Sequence, residues 1–148
     1  GTTDFIFGSS TAVFDRCIIH SKKNSYITAA STPENHPFGL VFLNCKLTAP
    51  DSIKKVYLGR PWRTFAAVTF VQCDMGAHIL PEGWHNWSKP EREKTSRYFE
   101  YKSIGQGANP ATRVNWSRQL SVKEAKRYTV ETILKGCDGW RVRKAAGY

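Results

Sequence analysis

The sequence predicts an all-β chain whose strands stack as a parallel solenoid of about 28 residues per coil, with a C-terminal helix and tail packing on it. The main observation is a four-residue motif that begins with Phe and ends with Cys. It recurs at Phe14–Cys17, Phe42–Cys45 and Phe70–Cys73, so the interval between successive copies is constant. One further step of the same length predicts a fourth copy at Tyr98–Tyr101. A strand signal at constant phase is typical of coils stacked in register.

Stacked coils place equivalent residues in ladders, because neighbouring parallel strands lie about 4.8 Å apart. The three Phe residues are expected to form an aromatic ladder inside the solenoid. A disulfide brings its Cβ atoms to about 3.8 Å, so Cys17, Cys45 and Cys73 are predicted to be reduced thiols. An α/β fold is the alternative, but its crossovers need about a dozen residues, usually helical. The segment Thr32–Pro37 has the composition of a loop instead.

The whole chain, residues 1–148, is predicted to be a single domain. Its coils occupy about residues 1–105, and a loop followed by the helix and tail occupies about residues 106–148. The composition of residues Gly1–Phe7 predicts the end of a turn followed by a strand. We therefore expect further coils to precede them.

The C-terminal helix is predicted from its two ends. Ser121 and Glu124 have the spacing of a capping box. The helix should continue to Leu134, and Gly136 supplies its left-handed stop. Helix and tail are expected to cover the end of the solenoid, where strand edges would otherwise lie unpaired.

The composition narrows the classes of function. Of the 148 residues, 41% are hydrophobic and 13% aromatic, which excludes a disordered chain. No apolar run approaches the roughly 18 residues of a membrane span, so no membrane partner is expected. The formal net charge of +10 favours a polyanionic partner. Nucleic acid is not expected, since only charge suggests it. The His and Cys spacings predict no metal site, and no cofactor is expected.

Two charged residues are notable because their separation is a multiple of the repeat period. Asp4 and Arg60 are separated by twice the period, so an uninterrupted solenoid would bring them to one angular position. Pro61 favours an extended Arg60, which would project together with Trp62. Arg binds carboxylates through two parallel hydrogen bonds, and sugar rings pack on aromatic faces. A surface ion pair beside a half-buried Trp explains the same spacing, and that alternative stays open here.

Strand geometry also predicts which side chains accompany Asp4. Alternate residues of an extended strand share a face. Asp4 and Ile6 are therefore expected to point one way, and Phe5 and Phe7 the other way, into the core. This arrangement would place the Asp4 carboxylate on the surface of the solenoid.

Several segments resemble a known family. Gly1–Gly8 and Leu58–Trp62 are similar to the two signature motifs of the pectin methylesterases, the first of which commonly has Val at the position of Thr3. Tyr26–Ala30 and the tail at 128–140 are similar to other segments of that family. The resemblance covers essentially the whole chain, and its details are closer to bacterial members than to plant ones.

The resemblance implies a right-handed parallel β-helix and hydrolysis of galacturonate methyl esters in pectin, which gives pectate and methanol. It makes Asp4 the nucleophile, Arg60 the residue that orients it and Trp62 a substrate-stacking residue. Trp84 and Trp87 lie in a segment that resembles a family loop near the cleft and are weaker candidates for substrate contact, with packing at the end of a coil as the open alternative. Methyl-esterified pectin is then the substrate, and a secreted or periplasmic location is implied.

One departure from the family pattern matters. The family also uses a second aspartate as general acid and base, and glutamines that stabilise the oxyanion, all upstream of the nucleophile. Asp15 and Asp51 do not lie in the corresponding motif. We therefore expect the C-terminal portion of an esterase, inactive until upstream β-helix coils supply those groups. The alternative is a non-catalytic solenoid that binds acidic polysaccharides.

Overall fold

The computed structural model describes residues 1–135, 140 and 142, and in it the chain passes repeatedly through three sheets. In chain order the strands are β1 Ile6–Gly8, β2 Ala12–Asp15, β3 Ile18–His20, β4 Tyr26–Ala30, β5 Leu40–Leu43, β6 Lys46–Thr48, β7 Tyr57–Pro61, β8 Ala67–Val71, β9 Asp74–Met75, β10 Arg97–Tyr101 and β11 Arg118–Gln119. Sheet A stacks β1, β4 and β7; sheet B stacks β2, β5, β8, β10 and β11; sheet C stacks β3, β6 and β9. These strands pair in parallel. The predicted parallel β-helix is confirmed.

Sheet B carries the predicted repeat. Its register pairs Phe14 with Phe42 and Phe42 with Phe70. Their rings stack with centroids 4.8 and 4.4 Å apart and 10° between planes. Trp84 and then Tyr98 continue this aromatic column, with centroid distances of 5.9 and 4.4 Å. The predicted ladder is confirmed, and it buries large apolar surface along the axis of the solenoid.

The fourth predicted copy, Tyr98–Tyr101, lies out of register by two residues. β10 pairs with β8 so that Glu100 is opposite Phe70, because this coil is longer than the two coils before it. A carboxylate therefore takes the ladder position of a Phe. Arg113 neutralises it from Nε and Nη2, at 2.8 and 3.1 Å from the two carboxylate oxygens. The repeat prediction is wrong here because the longer coil shifts the register by two residues and places Glu100, paired with Arg113, opposite Phe70.

The third residue of each Phe–Cys motif, and Lys102 at the equivalent position of the shifted fourth coil, forms a corner between sheets B and C. The backbone is left-handed at these corners, with φ between 45° and 52°. The corner residues are Arg16, Asn44, Gln72 and Lys102. The following Cys turns inward, and the Sγ of Cys45 donates to the carbonyl of Phe14 in the preceding coil at 3.2 Å. Cys17, Cys45 and Cys73 are free, as predicted.

In sheet A the coils differ in length. Phe7 pairs with Ala29 and Ala29 with Arg60, so the first of these coils is shorter than the period of sheet B and the second is longer. Arg60 is therefore in register with Phe7 and not with Asp4. The predicted register of Arg60 with Asp4 is therefore wrong, because loops of unequal length join sheets C and A.

Both faces of sheet B are buried, which explains its unbroken apolar runs. Leu40 and Phe42 face the interior of the solenoid. Val41 and Leu43 face outward, under side chains of the C-terminal segment. Those side chains are Tyr128, Val130, Ile133 and Leu134. The described part of this segment packs on the solenoid at the outer face of sheet B, and most of the tail that was expected to cover the end lies outside the described residues.

The C-terminal segment forms two short helices, α1 Val122–Ala125 and α2 Val130–Ile133. The predicted capping box of Ser121 and Glu124 is present at the start of α1. The prediction of a single helix that continues to Leu134 is wrong, because α1 ends at Ala125 and Thr129 caps a second helix.

Packing explains the break between the helices. The ring of Tyr128 packs edge-on against Phe38, with centroids 5.4 Å apart. Burying this ring outweighs the modest intrinsic stability of a short helix.

Two further predictions are not tested by the described residues. Gly136, the predicted end of the helix, lies outside them, and the assignment of residues 1–148 to a single domain stays a prediction. In the part of the chain that is described, no helix is long and apolar enough to cross a membrane.

Replacing Glu100 by Ala tests the shifted register. The side chains of Glu100 and Arg113 are 3% and 4% exposed, so Glu100→Ala leaves a buried guanidinium without its counter-charge. We expect the free energy of unfolding to fall by about 3–5 kcal/mol, measured by urea denaturation. Lys46→Ala, which breaks the exposed pair with Asp74, is the control and should change it by about 1 kcal/mol or less. Equal effects of the two substitutions would contradict a structural role for the buried pair.

Candidate active site

An open groove lies beside sheet A, with Asp4 in its wall. Its volume is about 280 Å³. The lining residues are Thr3, Asp4, Phe7, Ala29, Trp62 and Trp87. Three of them are aromatic, and Asp4 supplies the charged group. A mostly apolar groove with few polar groups is typical of sites that bind small molecules or parts of polymers.

Asp4 is held by its backbone and by Arg60. Its φ is 47°, and its N–H donates to the carbonyl of Tyr26 at 2.9 Å. Arg60 donates from Nε to Oδ1 at 3.2 Å and from Nη2 to Oδ2 at 2.6 Å. The two side chains are 20% and 19% exposed. This pair of parallel, charge-assisted bonds fixes the rotamer of the carboxylate, and the predicted contact is present.

The left-handed backbone at Asp4 breaks the expected alternation of side chains. β1 begins only at Ile6, and both Phe5 and Ile6 pack against the core. Phe7 is 65% exposed, and its ring lies edge-on to Trp62 with centroids 6.1 Å apart. The predicted orientations of Ile6 and Phe7 are therefore wrong. Phe7 lines the groove instead of the core.

Two aromatic rings enclose the guanidinium group of Arg60. Its Cζ lies 3.8 Å from the ring centroid of Tyr26 and 3.7 Å from that of Trp87. One edge of the planar group binds Asp4, while an aromatic ring lies close on each face. Such contacts stabilise a cation that is largely withdrawn from water.

His85 supports this aromatic enclosure. Its ring lies 5.5 Å from Tyr26 and 5.4 Å from Tyr57 between centroids. Its Nδ1 accepts the N–H of Trp87 at 3.0 Å. Burial lowers the pKa of His85, and the positive charge of Arg60 lowers it further. The imidazole is therefore neutral at pH 7 and available as an acceptor.

Trp62 is a half-exposed ring on a fixed turn. It is 37% exposed, and its N–H donates to the carbonyl of Ala30 at 2.9 Å. Arg92 Nη1 donates to the carbonyls of Pro61 and Trp62 at 2.7 and 3.1 Å. The ring is thus held beside the groove without being buried by it.

Trp84 belongs to the core. It is 1% exposed and lies in the aromatic column between Phe70 and Tyr98. Its Nε1 donates to a carboxylate oxygen of Glu100 at 3.4 Å. The suggested substrate contact of Trp84 is therefore wrong, because its ring is enclosed by core residues and does not reach the groove.

The arrangement supports nucleophilic chemistry at a carboxylate. Asp4 faces an open groove, and its two bonds to Arg60 leave acceptor lone pairs on both oxygens. A positioned carboxylate can form a covalent intermediate with a carbonyl substrate. Among the described residues, no group of three or more His, Cys, Asp or Glu could hold a metal ion.

Comparison with known proteins decides the family. The family profile described as Pectinesterase matches residues 1–137. The chain belongs to the pectinesterase family. Pectinesterase 31 of Arabidopsis thaliana is 41% identical over 129 residues, which cover 86% of this chain and 41% of that protein.

Solved pectinesterase structures share the fold. The carrot pectin methylesterase superposes with a TM-score of 0.83 at 30% identity, over 90% of this chain and 46% of that one. The Yersinia enterocolitica enzyme gives 0.76 at 31% identity, over 95% and 51%. A pectin methylesterase in complex with a hexasaccharide gives 0.76 at 32% identity, over 90% and 47%. The chain thus spans about half or less of these pectinesterases, and its closeness to bacterial members stays a prediction.

Part of this candidate site was predictable from the sequence. Asp4, Arg60 and Trp62 lie together as expected. Tyr26 and His85 were missed as partners of Arg60. Tyr26 begins a strand of sheet A, and its position in the family-like segment 26–30 was an available signal. No spacing rule could place His85, because it reaches the site from a loop.

The lowered pKa of His85 predicts a pH effect on stability. The unfolded chain takes up a proton near the ordinary pKa of about 6.5, whereas folded His85 takes it up only at lower pH. The free energy of unfolding should therefore fall as the pH drops below about 6.5, over the range between the two pKa values. Urea denaturation across this range and an NMR titration of the imidazole measure it.

His85→Asn is the matched control, because its Oδ1 can replace the acceptor but does not titrate. The pH dependence of stability should be shallower in this variant. Burial also lowers the pKa of His78, so the difference between the two proteins isolates His85. A folded His85 that titrates at or above its ordinary pKa would contradict the assignment.

Proposed function

We propose that this chain supplies the nucleophile and part of the substrate surface of a pectinesterase, a carboxylic ester hydrolase. The reaction is hydrolysis of galacturonate methyl esters in pectin to pectate and methanol. The observation that carries the proposal is the two-bond pair of Asp4 and Arg60 at an open aromatic groove. Membership of the pectinesterase family supports the reaction class.

In this mechanism Asp4 is the nucleophile. One carboxylate oxygen attacks the ester carbonyl carbon, and the C=O electron pair moves onto the carbonyl oxygen. When that pair returns, the bond to the methoxy group breaks, and the methoxy oxygen takes a proton from a general acid and leaves as methanol. Water then gives a proton to the conjugate base of that general acid and adds to the galacturonyl carbon of the resulting anhydride, which frees the Asp4 carboxylate and a new carboxyl group. Arg60 keeps the Asp4 carboxylate aimed in both steps.

Trp62 and its neighbour Phe7 form the proposed sugar-binding surface. Their exposed rings flank the groove that contains Asp4. The apolar faces of sugar rings pack on aromatic rings, and the net charge of +10 attracts a polyanion. The hexasaccharide complex of a pectin methylesterase with this fold supports an oligosaccharide ligand.

We further propose that the general acid and the oxyanion donors come from additional coils stacked on β1, β2 and β3. Phe14 and Cys17 are partly exposed, while the equivalent residues of the next two coils are buried. The first coil therefore has an incompletely covered interior, and within the described residues these strands have an unpaired edge. Another coil would cover both. Since pectin is a cell-wall polymer, we propose a secreted or periplasmic location.

Asp4→Asn tests the nucleophile in the full chain that contains these residues. The amide keeps the shape of the carboxylate but cannot form the anhydride. We expect methanol release from methyl-esterified pectin to fall by about 10³-fold or more. Asp15→Asn, which alters an acidic residue outside the groove, should keep full activity. Unchanged turnover in Asp4→Asn would instead favour the non-catalytic binding solenoid.

The 148-residue chain by itself should release little or no methanol. Without a general acid the methoxy group leaves unprotonated, and the loss of one oxyanion donor alone lowers the rate by about 10²- to 10³-fold. The measurement compares this chain with a longer form that adds the upstream coils. Comparable turnover by both would overturn the proposal that further coils complete the site.

A further inference from the structure

The loop after β9 brings Trp87 onto Arg60 in an unusual backbone conformation. Trp87 and Ser88 both have left-handed backbones, with φ of 60° and 52°. Non-glycine residues seldom adopt this conformation, and it persists where surrounding contacts hold it. Here the N–H of Trp87 is held by His85, and the N–H of Ser88 by the side chain of Asn86 at 2.9 Å. The loop therefore fixes the ring of Trp87 at one place.

The opposite face of Arg60 is covered from the sheet. Tyr26 stacks on Tyr57 with centroids 5.2 Å apart and 13° between planes. His85 lies against both rings, and its own N–H donates to the carbonyl of Gly59 at 3.1 Å. One ring of the enclosure thus belongs to a rigid strand, and the other to a loop that is fastened to the residue before Arg60.

We propose that Trp87 is a positioning residue for ester hydrolysis, which acts through Arg60 on the aim of Asp4. The inference rests on the proposed function. Nε and Nη2 of Arg60 bind Asp4 in the plane of the guanidinium, so motion out of that plane would misalign both bonds at once. The rings at 3.8 and 3.7 Å block that motion from each side. The face that Trp87 turns to Arg60 is unavailable for sugar.

The rival role, direct sugar contact, has a different kinetic signature. A residue that binds ground state and transition state equally changes KM, whereas one that aligns the nucleophile changes kcat. In the full chain, Trp87→Ala should lower kcat roughly 10- to 100-fold, as misplacement of reacting groups does, with little change in KM. Trp87→Phe keeps a ring over the guanidinium and should restore most of kcat. Trp62→Ala is the contrast and should mainly raise KM.

A second measurement does not depend on activity. The Nε–Hε signal of Arg60 in an NMR spectrum reports both its hydrogen bond and the ring currents around it. Trp87→Ala should shift this signal and speed its exchange with water, while Trp87→Phe leaves exchange slow. If the full wild-type chain proves inactive on pectin, the proposed function fails, and this signal still tests the enclosure.

Three results would overturn the inference. The first is a raised KM with unchanged kcat in Trp87→Ala, which would make Trp87 a sugar-binding residue. The second is an Arg60 signal that Trp87→Ala leaves unmoved. The third is a Trp87→Phe variant that is folded by circular dichroism yet as slow as Trp87→Ala.

Discussion

Parallel stacking of successive coils is the constraint on which the rest of the molecule depends. Each strand can pair its backbone only with the coil above and the coil below, so equivalent residues lie about 4.8 Å apart. In the interior this produces the continuous aromatic column of Phe14, Phe42 and Phe70. On the surface it lets Arg60 in the third coil pass over Tyr26 in the second and reach Asp4 in the first.

The sequence predicted sheet B better than sheet A, for a physical reason. In sheet B equivalent positions of successive coils face the same interior and carry the same residue type. The constant coil length is therefore visible in the sequence as regularly spaced Phe and Cys residues. In sheet A one coil is shorter than this interval and the next is longer, because loops of different length precede β4 and β7. The contact between Asp4 and Arg60 was predicted on the assumption of two equal coils, whereas the coils of sheet A are unequal in length. It holds because a long, flexible Arg side chain spans the offset between Asp4 and Phe7, the residue with which Arg60 is in register.

Tertiary contacts decided the features that local patterns missed. Glu100 took a ladder position because Arg113, in the segment that follows β10, neutralises it, and no periodicity signals such an exchange. The interrupted C-terminal helix follows from the burial of Tyr128 against Phe38. The enclosure of Arg60 by Trp87 depends on a left-handed loop residue whose conformation is set by its neighbours. Composition and spacing describe residue types, whereas these three features depend on which distant residue completes the contact.

The two Arg–carboxylate pairs at Glu100 and Asp4 show how burial separates a structural ion pair from a reactive one. Glu100 accepts both Arg113 bonds and the Trp84 indole, and Arg113 also donates to the carbonyls of Pro81 and Gly107. That pair is buried and its hydrogen-bonding groups are already occupied, so it is not available to a substrate. Asp4 receives two bonds from Arg60 at an open groove, and its remaining lone pairs face space that a substrate can fill. An Arg–carboxylate pair is thus structural where all its hydrogen-bonding groups have partners within the protein. It is suited to a reaction where the carboxylate keeps free lone pairs at an open groove.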